Sequence, residues 1–430
     1  MRRTAVVVGA AVALALGVTG VAAIFGPTAD TPAAAPAAAA TPVDPVARAQ
    51  ERLRLVPGDW RAWAALAVAY VERGRITADP TNYPRAEEAV RRSLAVRPTG
   101  NGEALVAQGA LANARHDFSA ARRFAIEATK INGYDADAFA VLADAETQLG
   151  NVRAATAAVQ RQLDLRPGLS AYARASYDLE LRGRVTEATD LMRRALDSAV
   201  SPADIGFCRV QLGDLAWHSG DLAEATRQYD AGLAADPASV SLRRGKARAE
   251  WAAGRRDAAI AGYADVTRRA PTPSYVLEYA DLLRAAGRAA EADAQLDLAL
   301  AGHRLFTGAG GVDGLTGTAL ALAAGDPAAA LKEARAEWSR RKHADVADNL
   351  AWALHHTGRD AEALPYARTA VGSGAKSALY AYHLGVIELS LGRTGAAEAD
   401  LATALRLNPH FSPTDAPLAR TLLAGPEVTR

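Results

Sequence analysis

Apolar and polar positions along this chain of 430 residues fall into three regimes. From Ala5 to Phe25, twenty-one residues run without a charge, and Thr19 is the only polar side chain among them. As a helix this run spans roughly 30 Å, the thickness of a bilayer's hydrocarbon core. From Gly26 to Pro45 the pattern changes to five Pro among many Ala with no aromatic residue, a composition that buries no core and reads as a semi-rigid spacer. From about Asp59 onward, amphipathic helices of about a dozen residues alternate with glycine turns.

The helices repeat. Glycines that close an amphipathic helix recur at Gly74, Gly150, Gly183, Gly220, Gly254, Gly287, Gly325, Gly358 and Gly392. The last eight are spaced by 33, 37, 34, 33, 38, 33 and 34 residues. Between Gly74 and Gly150 the segment Arg115-His116-Asp117-Phe118 takes the place of a turn, with His116 34 residues before Gly150. Ten helix-turn-helix units result. Many end on a Pro (Pro98, Pro167, Pro237, Pro271, Pro409), and a Gly after one helix with a Pro after the next are the stop signals a helical hairpin needs. No hairpin of this size buries its apolar face alone, so neighbours are expected to stack into a continuous core.

Within the units a second pattern runs: Trp63, Leu66, Ala67, Tyr70, Gly74, Ala86 and Pro98 in the first; Leu212, Gly213, Gly220, Ala225, Tyr229 and Pro237 in the fifth; Leu384, Gly385, Gly392, Ala397, Ala404 and Pro409 in the tenth. This pattern resembles the tetratricopeptide repeat over about residues 59 to 410. The resemblance implies an all-α, right-handed superhelical solenoid of about ten repeats, with the first helix of each pair facing a concave groove. The small residues Ala67, Ala143, Gly213, Ala351 and Gly385 let paired helices touch. Two departures stand out: seven extra residues, Arg75 to Thr81, read as a surface loop, and an irregular Gly-rich joint near residues 305–317, where Gly314 and Gly317 replace bulky core residues.

Composition agrees and removes alternatives. The 105 Ala favour helices that approach closely, and only five of the 49 basic residues are Lys, a bias in coding more than in function. A net charge of +1 argues against nucleic acid as the main partner. The single Cys, Cys208, excludes an intrachain disulfide and a multi-Cys metal knot, and it falls on a packing face of the fifth unit. No G-x-S-x-G or H-E-x-x-H motif is present, and the Gly run Thr307 to Gly311 lacks the strand and Lys of a phosphate loop. His355 and His356 diverge by about 100° on a helix and cannot chelate one ion without His383 or an acid. Catalytic residues, metals and cofactors are therefore expected to be absent, and the chain is expected not to be an enzyme.

Carried over by position, the resemblance implies a groove lined by Tyr177, Trp217, His218, Arg244, Arg248, Trp251, Asp281, Arg284, Trp352, His355 and Tyr382, with His356 beside them. Trp217 and Trp251 are 34 residues apart, so they fall at equivalent points of adjacent units. Aromatic residues flanked by Arg are typical anchors for protein and peptide partners. The family's carboxylate clamp is missing, since Ala64, Val68 and Ala107 stand at its places. Arg2 and Arg3 before the apolar run, with no further basic residue until Arg48, keep the start cytoplasmic and carry the body across. Residues 1–25 are read as a signal peptide or a transmembrane anchor, 26–45 as a linker, 46–410 as the solenoid and 411–430 as a tail. Membrane contact is expected only through the uncleaved amino-terminal segment. The reading is an extracytoplasmic scaffold for protein or peptide partners; the alternative is a small-molecule carrier or enzyme accessory with a pocket near the eighth unit.

Overall fold

Many of the helices begin where a short polar side chain takes an orphan backbone N–H. Asp59 accepts from Ala62 N at 3.1 Å, Asn101 from Ala104 N at 2.9 Å, Asp221 from Glu224 N at 2.9 Å and Asp326 from Ala329 N at 2.9 Å. The computed structural model describes residues 44–424, which form 22 helices, and no strand occurs among the described residues. The chain is all-α. The apolar run Ala5–Phe25 and nearly all of the spacer lie outside the described residues; within them, no helix is long and apolar enough to cross a membrane.

α1 (Pro45–Leu55) precedes ten helical hairpins. The first five pair α2 (Trp60–Thr77) with α3 (Asn82–Val96), α4 (Gly102–Ala114) with α5 (Phe118–Ile131), α6 (Ala136–Leu149) with α7 (Val152–Leu165), α8 (Leu169–Glu180) with α9 (Val185–Asp197), and α10 (Pro202–His218) with α11 (Leu222–Ala235). The second five pair α12 (Val240–Ala252) with α13 (Arg256–Arg269), α14 (Pro273–Ala285) with α15 (Ala289–Gly308), α16 (Gly314–Ala323) with α17 (Pro327–Arg340), α18 (Ala344–His356) with α19 (Asp360–Gly372), and α20 (Ala378–Ser390) with α21 (Thr394–Leu407). α22 (Asp415–Ala424) follows within the segment read as a tail, and it buries Ala416 and Ala419.

The eight regularly spaced glycines all turn in the left-handed region, with φ between 70° and 82°. His116 does the same at φ 60°, stacked on Phe118 at 5.5 Å and against Phe306 at 5.4 Å, so aromatic packing holds a conformation that a side chain ordinarily resists. Gly74 corrects the expectation. It lies buried inside α2, which runs on through Arg75 to Thr77, and the turn comes at Ala78 (φ 56°). A Cβ on Gly74 would stand 2.9 Å from Tyr83 Cε1: this glycine admits a ring and does not end a helix.

Close contact also explains the small residues within hairpins. The Tyr229 ring, fully buried, is wedged between Gly213 and Gly245, whose added Cβ atoms would lie 2.3 and 2.4 Å from Tyr229 Cε1. Burying such a ring is worth about 1.5–3 kcal/mol. At Gly385 the intruder is Leu401, 2.9 Å away. In the irregular eighth hairpin, Gly314 makes room for Glu337, a buried carboxylate held by Arg340 at 2.5 Å and by Arg341. Cys208 is fully buried and its thiol is pushed up to about 12 by burial. A thiol reagent is therefore expected to leave the folded protein unlabelled and to label it fully in denaturant, which mass spectrometry reads directly.

The array does not run out as an open spiral. The turns of the early hairpins dock on linkers that follow hairpins several units later. Val312 N donates to Arg115 O at 2.9 Å and Arg340 to His116 O at 2.7 Å. Lys342 N donates to Leu149 O at 3.2 Å, Arg341 to Gln148 Oε1 at 3.0 Å and Asn408 to Trp217 O at 2.8 Å. A Cβ on Gly150, Gly183 or Gly220 would meet the carbonyl oxygen of Lys342, Gly374 or Leu407 at 2.5, 2.3 or 2.8 Å. The contacts step in register. The turn of the third hairpin meets the linker after the eighth, that of the fourth the linker after the ninth, and that of the fifth the linker after the tenth. One superhelical turn thus closes on the next along a continuous seam.

Candidate binding cavity

Because one superhelical turn closes on the next, the inner helices of the middle hairpins face the linkers of the last ones across a cavity of about 200 Å³. One wall is built from α8 (Tyr177, Glu180), α10 (Trp217, His218), α12 (Arg244, Arg248, Trp251) and α14 (Glu278, Asp281), with Tyr263 of α13 behind. The other comes from residues 375–380, which include Lys376 and Tyr380, from residues 408–413, which include Phe411, and from Asp345 of α18.

The repeat places equivalent positions of adjacent inner helices side by side, and these positions carry complementary charges. Arg248 bridges to Asp214, 34 residues earlier, at 2.5 Å, while the Tyr229 hydroxyl donates to the same carboxylate at 2.6 Å. Arg244 reaches Glu278, 34 residues later, through two bonds of 2.7 and 2.5 Å, and Tyr263 donates to Glu278 at 3.1 Å. His218 meets Glu180 at 2.9 Å, and Tyr380 donates to Asp345. Burial would push Asp214 up, but Arg248 and Arg244 outweigh it and hold the carboxyl below the usual aspartate range. For Arg244, burial opposes the charge and Glu278 overcomes it, leaving the guanidinium firmly protonated.

Asp281 behaves differently. Burial drives its pKa well above the ordinary value, and Arg284, at 3.5 Å, offsets this only in part. The contact is too long for a full charge-assisted bond, and Arg284 Nη1 has no hydrogen-bond partner among the described residues, so burial outweighs it. Tyr177 is likewise pushed well up by burial, with Asp345 and Glu180 adding to the effect.

Of the residues expected in the groove, Tyr177, Trp217, His218, Arg244, Arg248, Trp251 and Asp281 line this one cavity. Trp217 is 5% exposed and carries the Arg248 guanidinium over its ring at 4.5 Å; Trp251 is half-buried, with Arg256 over its ring at 4.9 Å. Arg284 lies off the cavity. Trp352, His355 and Tyr382 form a separate aromatic group: Trp352 stacks on His383 at 3.9 Å and on His355 at 4.9 Å, and Tyr382 packs on Phe411 at 5.4 Å. Trp352 and Tyr382 belong to the core there. His356 and His383 join them around Trp352, yet no group of three metal-ligating side chains forms among the described residues. Asp214 and Glu278 escaped the sequence reading, although a step of 34 residues from each arginine leads to them. Lys376 and Phe411 carried no such signal, since superhelical closure alone brings them to the wall.

The family profile of the tetratricopeptide repeat matches residues 378–411, the tenth hairpin and the start of the following linker. That match spans one repeat of the array. Several solved structures are similar to the chain at low identity. The crystal structure of the APC/C hetero-tetramer Cut9–Hcn1 is 17% identical, covering 88% of this chain and 80% of that one, with a TM-score of 0.43. Yeast Tom70 is 13% identical, covering 88% and 85%, at 0.35. A thermophilic tetratricopeptide protein of Thermus thermophilus is 20% identical, covering 42% and 97%, at 0.37. No curated protein matches the sequence.

Proposed function

We propose that this tetratricopeptide chain is a non-catalytic scaffold of the cell envelope, exported or tethered through Ala5–Phe25, that holds protein partners by a segment inserted at the central cavity. The observation that carries the reading is the lining of that cavity: Trp217, Trp251, Tyr263, Tyr380 and Phe411 surround space for one or two large side chains. Arg244 and Arg248 are already neutralised by Glu278 and Asp214, so these arginines offer little spare positive charge for a carboxylate. Lys376, at the exposed rim, forms no ion pair among the described residues. The preferred occupant is thus a protein segment with a large apolar or aromatic side chain, its neighbouring acidic group meeting Lys376.

Capture from an envelope extract with the full chain tests this. Trp251→Ala with Lys376→Glu removes a half-buried anchor at the margin of the core and an exposed rim charge, and with the fold checked by a melt it is expected to weaken capture of the leading partner by about tenfold or more, as for an interface hot spot. Capture that survives this double change would remove the cavity from the reading. A small molecule retained through purification, with no protein captured, would favour a carrier instead. Cell fractionation with the mass of the mature amino terminus distinguishes a cleaved signal from an anchor.

A further inference from the structure

The seam that closes the superhelix uses only half of each edge. The early turns at Gly150, Gly183 and Gly220 are covered by backbone of later linkers. The late turns at Gly254, Gly287, Gly325, Gly358 and Gly392 have the same left-handed geometry, with φ from 71° to 80°, and beyond the glycine and its chain neighbours no atom of the described residues comes within 4 Å of a Cβ placed there. The linkers show the reverse asymmetry. Late linkers are seated on turns, with Val312 (43%) and Val371 (37%) exposed in or beside them, while the early part of the array exposes Tyr134 (79%) and Val200 (89%) in linkers and Val96 (45%) and Ile131 (47%) at the helix ends that enter them, with Leu55 (64%) just before the first hairpin.

We infer that these two free edges join head to tail, so that the late turns of one chain receive the early linkers of a second copy. The contact continues the internal seam: a second array set coaxially after the first brings its early linkers to the place that late linkers occupy within one chain. The occupant is specified by shape, since a bare left-handed glycine turn admits a carbonyl at closer than 3 Å from a would-be Cβ, as the internal seam does at three positions. The apolar linker side chains gain burial that a lone chain denies them. Such a contact is heterologous and leaves one edge free at each end, so association is open-ended.

Sedimentation of the full chain in a mild non-ionic detergent, over a range of concentrations, tests this with two variants. Gly287→Asn with Gly325→Asn blocks the turn edge, because Asn tolerates the left-handed region and adds a side chain where backbone must approach. Tyr134→Asp with Val200→Asp blocks the linker edge at exposed positions. The unaltered chain is expected to form dimers and longer species as concentration rises, and each variant alone to need at least tenfold higher concentration to associate. An equal mixture of the two variants restores dimers that grow no further, since each supplies one working edge; this restoration also certifies that both are folded. An unaltered chain that stays monomeric, a mixture that fails to dimerise, or association that persists undiminished in both variants through residues 5–25 would each overturn the inference.

Discussion

Replacing Asp214 with Ala is expected to lower the stability of the folded array by about 3–5 kcal/mol, the cost of stranding a buried charge. The Arg248 side chain is only 11% exposed, and its Nε and Nη1 have no partner among the described residues; its hydrogen bonds go to Asp214 and to the Tyr229 hydroxyl through Nη2. Removing the carboxylate leaves the guanidinium with one neutral partner and the face of Trp217. Tyr229 cannot shift to compensate, because Gly213 and Gly245 grip its ring from both sides. Asp214→Ala combined with Arg248→Met is expected to regain a large part of the loss, since it removes the charge along with its partner. Denaturant melts of the three variants give the comparison. The sign with pH follows from the lowered Asp214 pKa: the pair's contribution is full above the ordinary aspartate value and fades as pH falls through the lowered one.

Two glycine replacements separate the seam from ordinary turn chemistry. Gly150 and Gly358 both turn in the left-handed region, at φ 82° and 73°, so Ala costs about 1–2 kcal/mol at either position. Only at Gly150 does the new Cβ meet foreign backbone, with Lys342 O at 2.5 Å and His343 N at 3.1 Å. Gly150→Ala is therefore expected to cost a further ~1–3 kcal/mol, the range for forcing atoms into a packed contact. It should also accelerate hydrogen exchange at the Lys342 amide, which is bonded to Leu149 O across the seam. Gly358→Ala should leave that amide unchanged. Equal melts and equal exchange in the two variants would mean that the seam contributes nothing.

The turns were readable because their chemistry is local: a glycine between two amphipathic segments needs only its own φ to end a helix, and even His116 was located by counting 34 residues. Gly74 was misread for an equally physical cause. A glycine that ends a helix and a glycine that lets Tyr83 approach are the same letter, and the partner that decides between them lies beyond the turn. The inner wall was half legible. Period alone aligns Trp217 with Trp251, whereas the pairing of each arginine with an acid one repeat away needs the helices side by side. Trp217 itself proved to be a lid on Arg248 as much as a displayed ring. Residues 375–380 and 408–413 reach the cavity only because small rotations between hairpins add up to a closed superhelical turn, a sum that no local pattern encodes.

Solenoids are usually assembled by nearest neighbours, so that any run of adjacent repeats is a folded object in its own right. Here Arg341 bonds to a residue 193 positions earlier, and Asn408 to one 191 earlier. Those long spans make the array less a string of beads than a ribbon wound into a tube, in which the early coil is finished only when the late one is laid against it. A ribosome or a translocation pore that delivers the chain from its amino end therefore releases the first five hairpins stacked but unfastened, and the last two hairpins complete the tube.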